Sequence, residues 1–263
     1  MKKASIEITT LMRISVSGTA NTGKSTLIKD FCVEWSNYVP VKYSYREQLK
    51  SLPHSKSCDQ STQWLILNSM IDEMQKHSKD EHVIYDRCPL DNLVYSMWAY
   101  DKGEGDIDQA FIDKCVPLVR ESFKFLDIAF FVPLTNVSPI AIVENGTRET
   151  DPVYIEEIDN LFKAIINQYH HNIDRTLFFP KDDCPGIIEI FGRPQERIYL
   201  IKQYLDVKGD LIGAEGDSIL NPDNLNQLAE LIEAQKTALA SEKFEQQQIN
   251  MVKDFVKKSK NKR

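Results

Sequence analysis

The run Gly18-Thr19-Ala20-Asn21-Thr22-Gly23-Lys24-Ser25 carries the most specific chemistry in the chain. Its pattern is G-x-x-x-x-G-K-[ST], the Walker A spacing of a phosphate-binding loop. Glycine at each end lets the backbone curl until its N–H groups converge. The start of the following helix adds partial positive charge at the same point. In such a loop Lys24 reaches the β- and γ-phosphates, Ser25 ligates Mg²⁺, and Thr26 follows on the helix bordering the site. ATP and Mg²⁺ are therefore the expected ligands. The plainer reading is a glycine-rich strand–helix turn whose lysine faces solvent.

A second group follows the apolar stretch His82-Val83-Ile84-Tyr85. Asp86 stands at what should be the carboxyl end of a strand, where open α/β sheets bind ligands. A carboxylate there can hold a Mg²⁺ shell or accept a proton from an attacking hydroxyl. Arg87 beside it can neutralise phosphate charge. Position alone equally allows Asp86 to cap the next helix, with Arg87 in a surface pair.

The stretch Asp86-Arg87-Cys88-Pro89-Leu90-Asp91 resembles the Asp-Arg-Ser/Tyr motif of deoxynucleoside and thymidylate kinases. It is also similar to the Asp-Arg stretch of the nicotinamide riboside kinase group. In this chain Cys88 replaces the usual hydroxyl residue. The resemblance spans about residues 12 to 205 and implies a three-layer α/β P-loop NTPase fold. Its parallel sheet would have five strands in the order 2-3-1-4-5.

The resemblance also implies roles for further residues. In Tyr45-Arg46-Glu47, Arg46 and Glu47 look like the pair lining an acceptor site, with Glu47 a candidate catalytic base. Arg148, in Glu144-Asn145-Gly146-Thr147-Arg148, looks like a lid arginine that closes on the transferring phosphoryl group. Arg193 and Pro194, within Ile188 to Arg197, resemble the adenine-side loop. Gln63 and Trp64 fall on the helix that borders the base pocket in nucleoside kinases. A Gln amide can read a base edge and an aromatic ring can stack on it. The plainer reading puts Trp64 in the core and Gln63 in solvent. Tyr95 is an aromatic near the Asp-Arg motif, with the same choice between substrate contact and packing.

These residues need a scaffold, and the hydrophobic pattern supplies one. Strands are expected at 12–17, 39–45, 82–85, 126–132 and 186–191. Helices are expected near 24–35, 61–79, 92–100, 108–123, 152–171 and 194–205. Strand and helix alternate, as in a parallel sheet covered on both faces. Residues 1–205 are read as one P-loop kinase domain and 206–263 as a linker and polar C-terminal helix with a basic tail. The stripe Leu225, Leu228, Leu231 and Ile232 is shorter than a coiled-coil repeat, so docking on the domain is expected over a zipper.

Composition narrows the function further. The chain has 263 residues and a formal net charge of -7, which argues against a general duplex-DNA binder. The five cysteines have no CxxC spacing, so a reducing, cytoplasmic setting is expected. Met1-Lys2-Lys3-Ala4 leads into no apolar run, and no run reaches the roughly 18 residues of a membrane span. No signal peptide or membrane contact is expected. The expected reaction is transfer of the γ-phosphoryl of ATP to a nucleoside, deoxynucleoside or nucleoside monophosphate. The alternatives are a kinase acting on bases or ends within DNA or RNA, favoured by the terminal lysines, and a P-loop ATPase without a small-molecule acceptor. A homodimer stays open.

Overall fold

The computed structural model of the chain describes residues 12–43, 59–80, 82–135, 150–172 and 176–212. By its internal contacts the chain divides into two units, Met1–Leu211 and Ile212–Arg263. Only the first is described below. Arg46, Glu47, Arg148, the Leu225–Ile232 stripe and the lysine cluster lie outside the described residues.

The strands are β1 (Arg13–Ser17), β2 (Val39–Val41), β3 (Val83–Asp86), β4 (Ile128–Phe131) and β5 (Gly186–Glu189). They form one five-stranded sheet in the order β2-β3-β1-β4-β5, and every pairing is parallel. The helices are α1 (Lys24–Glu34), α2 (Gln60–Lys76), α3 (Pro89–Lys102), α4 (Gln109–Ser122), α5 (Pro152–Asn172) and α6 (Pro194–Ile201). This is the fold and strand order that the sequence resemblance implies.

Strand periodicity sorts the core into two layers. Ile14 and Val16 of β1, Ile84 of β3 and Phe130 of β4 pack against Leu27, Ile28 and Phe31 of α1 and Ile201 of α6. Their alternate neighbours Val83, Tyr85, Ala129 and Phe131 face the opposite layer, built from α2, α3, α4 and α5. The sheet thus has helices on both faces, and β1 lies in its middle. At the start of β1, Asp127 takes hydrogen bonds from Arg13 N at 2.7 Å, Nε at 2.9 Å and NH2 at 2.8 Å. This clasp joins β1 to β4 at the strand ends remote from the phosphate loop.

Several boundaries shift from expectation for identifiable reasons. Helix α2 starts one residue early because Asp59 caps it, accepting from Thr62 N at 2.7 Å. Helix α3 starts at Pro89 rather than near Asn92, since proline's fixed φ suits a first helical position. Strand β4 begins at Ile128 rather than Leu126, because Phe123–Phe125 is a 3₁₀ turn that delays entry into the sheet.

A larger difference lies after α6, which ends at Ile201 rather than at Leu205. Residues 206–211, read from the sequence as the start of an irregular linker, strap the end of α1. Trp35 Nε1 donates to Asp206 O at 2.8 Å and Tyr38 Oη to Gly209 O at 2.6 Å. His82 Nε2 lies 3.0 Å from Asp210 Oδ1. Gly209 has φ 84°, and a Cβ there would sit 2.5 Å from the Tyr38 ring, so only glycine fits. Among the described residues, Cys32, Cys88, Cys115 and Cys184 are free thiols. No described helix is long and apolar enough to cross a membrane.

Phe31 joins these parts: it is fully buried, and its ring lies 4.7 Å from Trp35, 4.8 Å from Tyr38 and 6.3 Å from Phe130. Phe31→Ala is expected to cost about 3–5 kcal/mol of stability through the cavity it leaves. Urea unfolding checks this, and a loss below about 1 kcal/mol would show that the layer collapses freely onto the gap.

Candidate functional site

The phosphate loop runs from Gly18 to Ser25, between the central strand and α1. Gly18 has φ 137°, and a Cβ there would lie 2.7 Å from Val132 O. The loop therefore enters against the backbone that follows β4, an approach only glycine allows. Gly23, at φ 81°, caps α1 without any side-chain cap over the helix start. The first N–H groups of α1 are thus left to whatever the loop holds.

Lys24 is 6% exposed, not solvated. Its Nζ donates to Thr19 O, and Thr22 Oγ1 lies 3.4 Å away. Thr22 Oγ1 donates to Thr19 O at 3.2 Å, and Thr19 Oγ1 donates to Ile155 O of α5 at 2.9 Å. Asn21 takes a left-handed φ of 59°, which Asn tolerates better than most residues. Ala20 packs against the helical layer.

The sheet register brings the second group to the first. Val16 of β1 pairs with Asp86 of β3, so the acid sits beside the entrance of the loop. Ser25 Oγ donates to Asp86 Oδ2 at 3.3 Å. Arg87 N bonds Val16 O at 3.1 Å, and Tyr43 Oη donates to Arg87 O at 2.7 Å. Between these contacts Arg87 adopts φ 87°, a region costing a non-glycine residue on the order of 1–3 kcal/mol. Its NH1 reaches Asp91 Oδ1 at 3.2 Å, Tyr95 Oη at 3.2 Å and Gly18 O at 3.5 Å. The guanidinium carbon lies 5.2 Å from the Tyr95 ring centre.

Asp91 is the residue that sequence reasoning passed over. It is fully buried. Its carboxylate accepts from Gly18 N at 3.2 Å, Cys88 N at 3.0 Å and Arg87 NH1. One side chain thereby fixes the phosphate loop, the start of α3 and the arginine. A signal was present: Cys88-Pro89-Leu90-Asp91 has capping-box spacing with Cys in place of Ser. Cys88 Sγ lies 3.3 Å from Ser17 Oγ. Burial first, then the Asp91 charge, pushes the Cys88 thiol up to about 12. It is a protonated packing group, not a nucleophile.

The other candidates divide. Tyr95 stands in the cluster and its ring leans on Tyr154 at 6.2 Å. Gln63 is 5% exposed and so lies inside, not in solvent as the plainer reading has it. Asn92 Nδ2 donates to Gln63 Oε1 and, at 3.2 Å, to Gln63 O. Asn92 Oδ1 and Thr62 Oγ1, both buried, have no hydrogen-bond partner among the described residues. Trp64 is only partly buried and turns to α4, 6.4 Å from the Phe111 ring, with Lys114 Nζ 3.5 Å from its own ring centre. Adjacent helix positions point about 100° apart, so Gln63 and Trp64 serve different surroundings.

Arg193 is exposed at the turn before α6, with its N–H bonded to Glu196 Oε2 at 2.6 Å, and Pro194 is the first helical residue. Arg197, one turn on, donates to Gly192 O at 2.8 Å and to Thr22 O at 2.7 Å. No sequence pattern marks that contact.

A family model described as an AAA domain matches residues 13–176. No curated protein matches the sequence. Among solved structures, the chain is similar to thymidylate kinase from Candida albicans at 15% identity, covering 73% of this chain and 91% of that one with a TM-score of 0.55. It is similar to deoxyadenosine kinase from M. mycoides at 18% identity, covering 73% and 97%, TM-score 0.53. It is also similar to a NadR protein in complex with NR, at 17% identity, covering 74% and 51%, TM-score 0.50. These likenesses concern the fold, a P-loop NTPase sheet with its loop after the central strand.

Asp91→Ala removes the buried acceptor of three donors, the Arg87 guanidinium among them. A loss of about 3–5 kcal/mol is expected, read by chemical unfolding. Stability within about 0.5 kcal/mol of the parent would mean that water replaces the carboxylate without penalty.

Proposed function

This chain belongs to the AAA domain family, and from that premise we propose that it transfers the γ-phosphoryl group of ATP to a nucleoside, deoxynucleoside or nucleoside monophosphate. The observation that carries this reading is the 3.3 Å approach of Ser25 Oγ to Asp86 Oδ2, with Arg87 next in sequence. A hydroxyl and a carboxylate converging beside a phosphate loop form the hard-oxygen donor set that suits Mg²⁺. When bound, Mg²⁺ supplies neutralisation of phosphate charge.

The chain's own groups do the rest. Lys24 exchanges Thr19 O for phosphate oxygens, so its present bond keeps a buried ammonium satisfied until substrate arrives. The backbone N–H groups of 19–25 and the open start of α1 orient the triphosphate. Arg87 is pre-aimed by Asp91 and Tyr95, so it meets developing charge without reorganising. Asp86 or Glu47 positions the acceptor hydroxyl, Arg46 assists, and Arg148 closes over the transferring group. In this reading the Gln63–Asn92 amides and Tyr95 serve the acceptor, and Arg193 and Pro194 serve the adenine. Nucleoside and nucleotide acceptors also suit the names of the similar structures, one a deoxyadenosine kinase with products dcmp and dcdp bound, another a thymidylate kinase.

Lys24→Ala is expected to lower ATP turnover by about 10²–10³-fold, because a charge contact to the transition state is lost. Circular dichroism should report an intact fold. Asp86→Asn is expected to raise the Mg²⁺ concentration needed for half-maximal rate, since an amide is a weaker ligand for a hard cation. Near-parent turnover by folded Lys24→Ala, or an unchanged Mg²⁺ requirement in Asp86→Asn, contradicts these assignments.

A further inference from the structure

Arg197 is 5% exposed, although arginine is seldom buried without an acidic partner. Among the described residues no carboxylate lies within ion-pair distance of it. Its bonds go to two backbone carbonyls far apart in the chain, Gly192 O through Nε at 2.8 Å and Thr22 O through NH1 at 2.7 Å. Burial draws its pKa down, yet a guanidinium stays charged in proteins. A helix needing only an anchor would do better with an apolar side chain, and α6 already has one in fully buried Ile201.

The placement of that charge is informative. A trans peptide holds its C=O and the following N–H in one plane, pointing in opposite directions. Holding Thr22 C=O from below therefore fixes the direction of Gly23 N–H, which enters the phosphate loop just before Lys24. The second bond ties the same guanidinium to Gly192, in the turn leading to Arg193 and Pro194. Arg and Lys are not equivalent here, because only the planar fork reaches both carbonyls along separate N–H directions.

We propose that Arg197 is a positioning residue for the nucleotide, coupling the phosphate loop to the turn before α6, with the bound polyphosphate supplying the counter-charge that its burial lacks. This rests on the phosphate-loop reading above. Arg197 makes no substrate contact in this scheme and acts through the Thr22–Gly23 peptide and through its field in a site shielded from water.

The test is calorimetric binding of ATP and of inorganic tripolyphosphate, with Mg²⁺, to the full chain and to Arg197→Met and Arg197→Lys, alongside thermal melts. Arg197→Met is expected to bind both ligands about tenfold or more weakly, the scale of a charged hydrogen bond. Arg197→Lys is expected to recover part of the loss, because it keeps the charge but not the fork. The KM for the acceptor should not move. Parent-like affinity for both ligands in folded Arg197→Met overturns the proposal, even if melting falls. Weakened ATP binding with unchanged tripolyphosphate binding also overturns it, since Arg197 would then serve the turn alone. Should Arg197→Met not fold, Arg197→Lys decides, and parent-like affinity there is the overturning result. Failure of the unmodified chain to bind either ligand overturns the phosphate-loop reading and this proposal together. Binding by the unmodified chain with unaltered variants overturns this proposal alone.

Discussion

A loop that offers most of its N–H groups to a ligand must be held in place largely by other groups. Residues 18–25 leave the sheet at the end of β1 and have no ladder to restrain them, so the restraint comes from beneath. Asp91 of α3 takes Gly18 N–H, Thr19 bonds to α5, Lys24 closes the loop on Thr19 O, and Arg197 of α6 holds Thr22 O. Three helices from both faces of the sheet converge on one turn. The rest of the domain can be understood as the packing that brings those helices there.

That packing places charge where an apolar residue would be cheaper. Asp91 is fully buried, and Lys24 and Arg197 nearly so. Burial of such groups costs several kcal/mol each unless bonds compensate. Asp91 is compensated by three donors, one of them a cation. Arg197 under the loop is compensated by carbonyl oxygens, which carry only partial charge. Arg197 therefore places positive charge beneath the loop in a setting of low dielectric, part of a pre-organised receptor for a polyanion. Arg87 adds to it from the side, locked in a left-handed conformation that its neighbours over-determine.

Much of this was legible in the sequence. The motif from Gly18 to Ser25 announces its own geometry, because glycine spacing and the lysine have a mechanism attached. The apolar strand before Asp86 places the acid at a carboxyl end, and parallel register then brings it to Ser25. Other features depend on contacts too distant for any local pattern. The sequence cannot show that α6 reaches Thr22, or that residues 206–211 strap Trp35 and Tyr38. Gln63 looked like a surface residue because it is polar, yet packing against Asn92 carries it inside. Asp91 was legible in principle, since it sits at capping-box spacing, but Cys in the hydroxyl's place hid the pattern.

Where the γ-phosphoryl group goes separates a kinase from a P-loop ATPase. The direct measurement follows γ-labelled ATP with Mg²⁺ in single turnover, with and without a panel of nucleosides, deoxynucleosides and their monophosphates. The prediction is that label moves onto at least one of these acceptors and that ATP consumption rises when it is present. Label released only to water, at a rate no acceptor changes, would contradict the kinase reading and leave a P-loop ATPase. Label that moves only when DNA or RNA oligonucleotides replace the panel, and then onto their ends, would contradict the free nucleoside or nucleotide as acceptor.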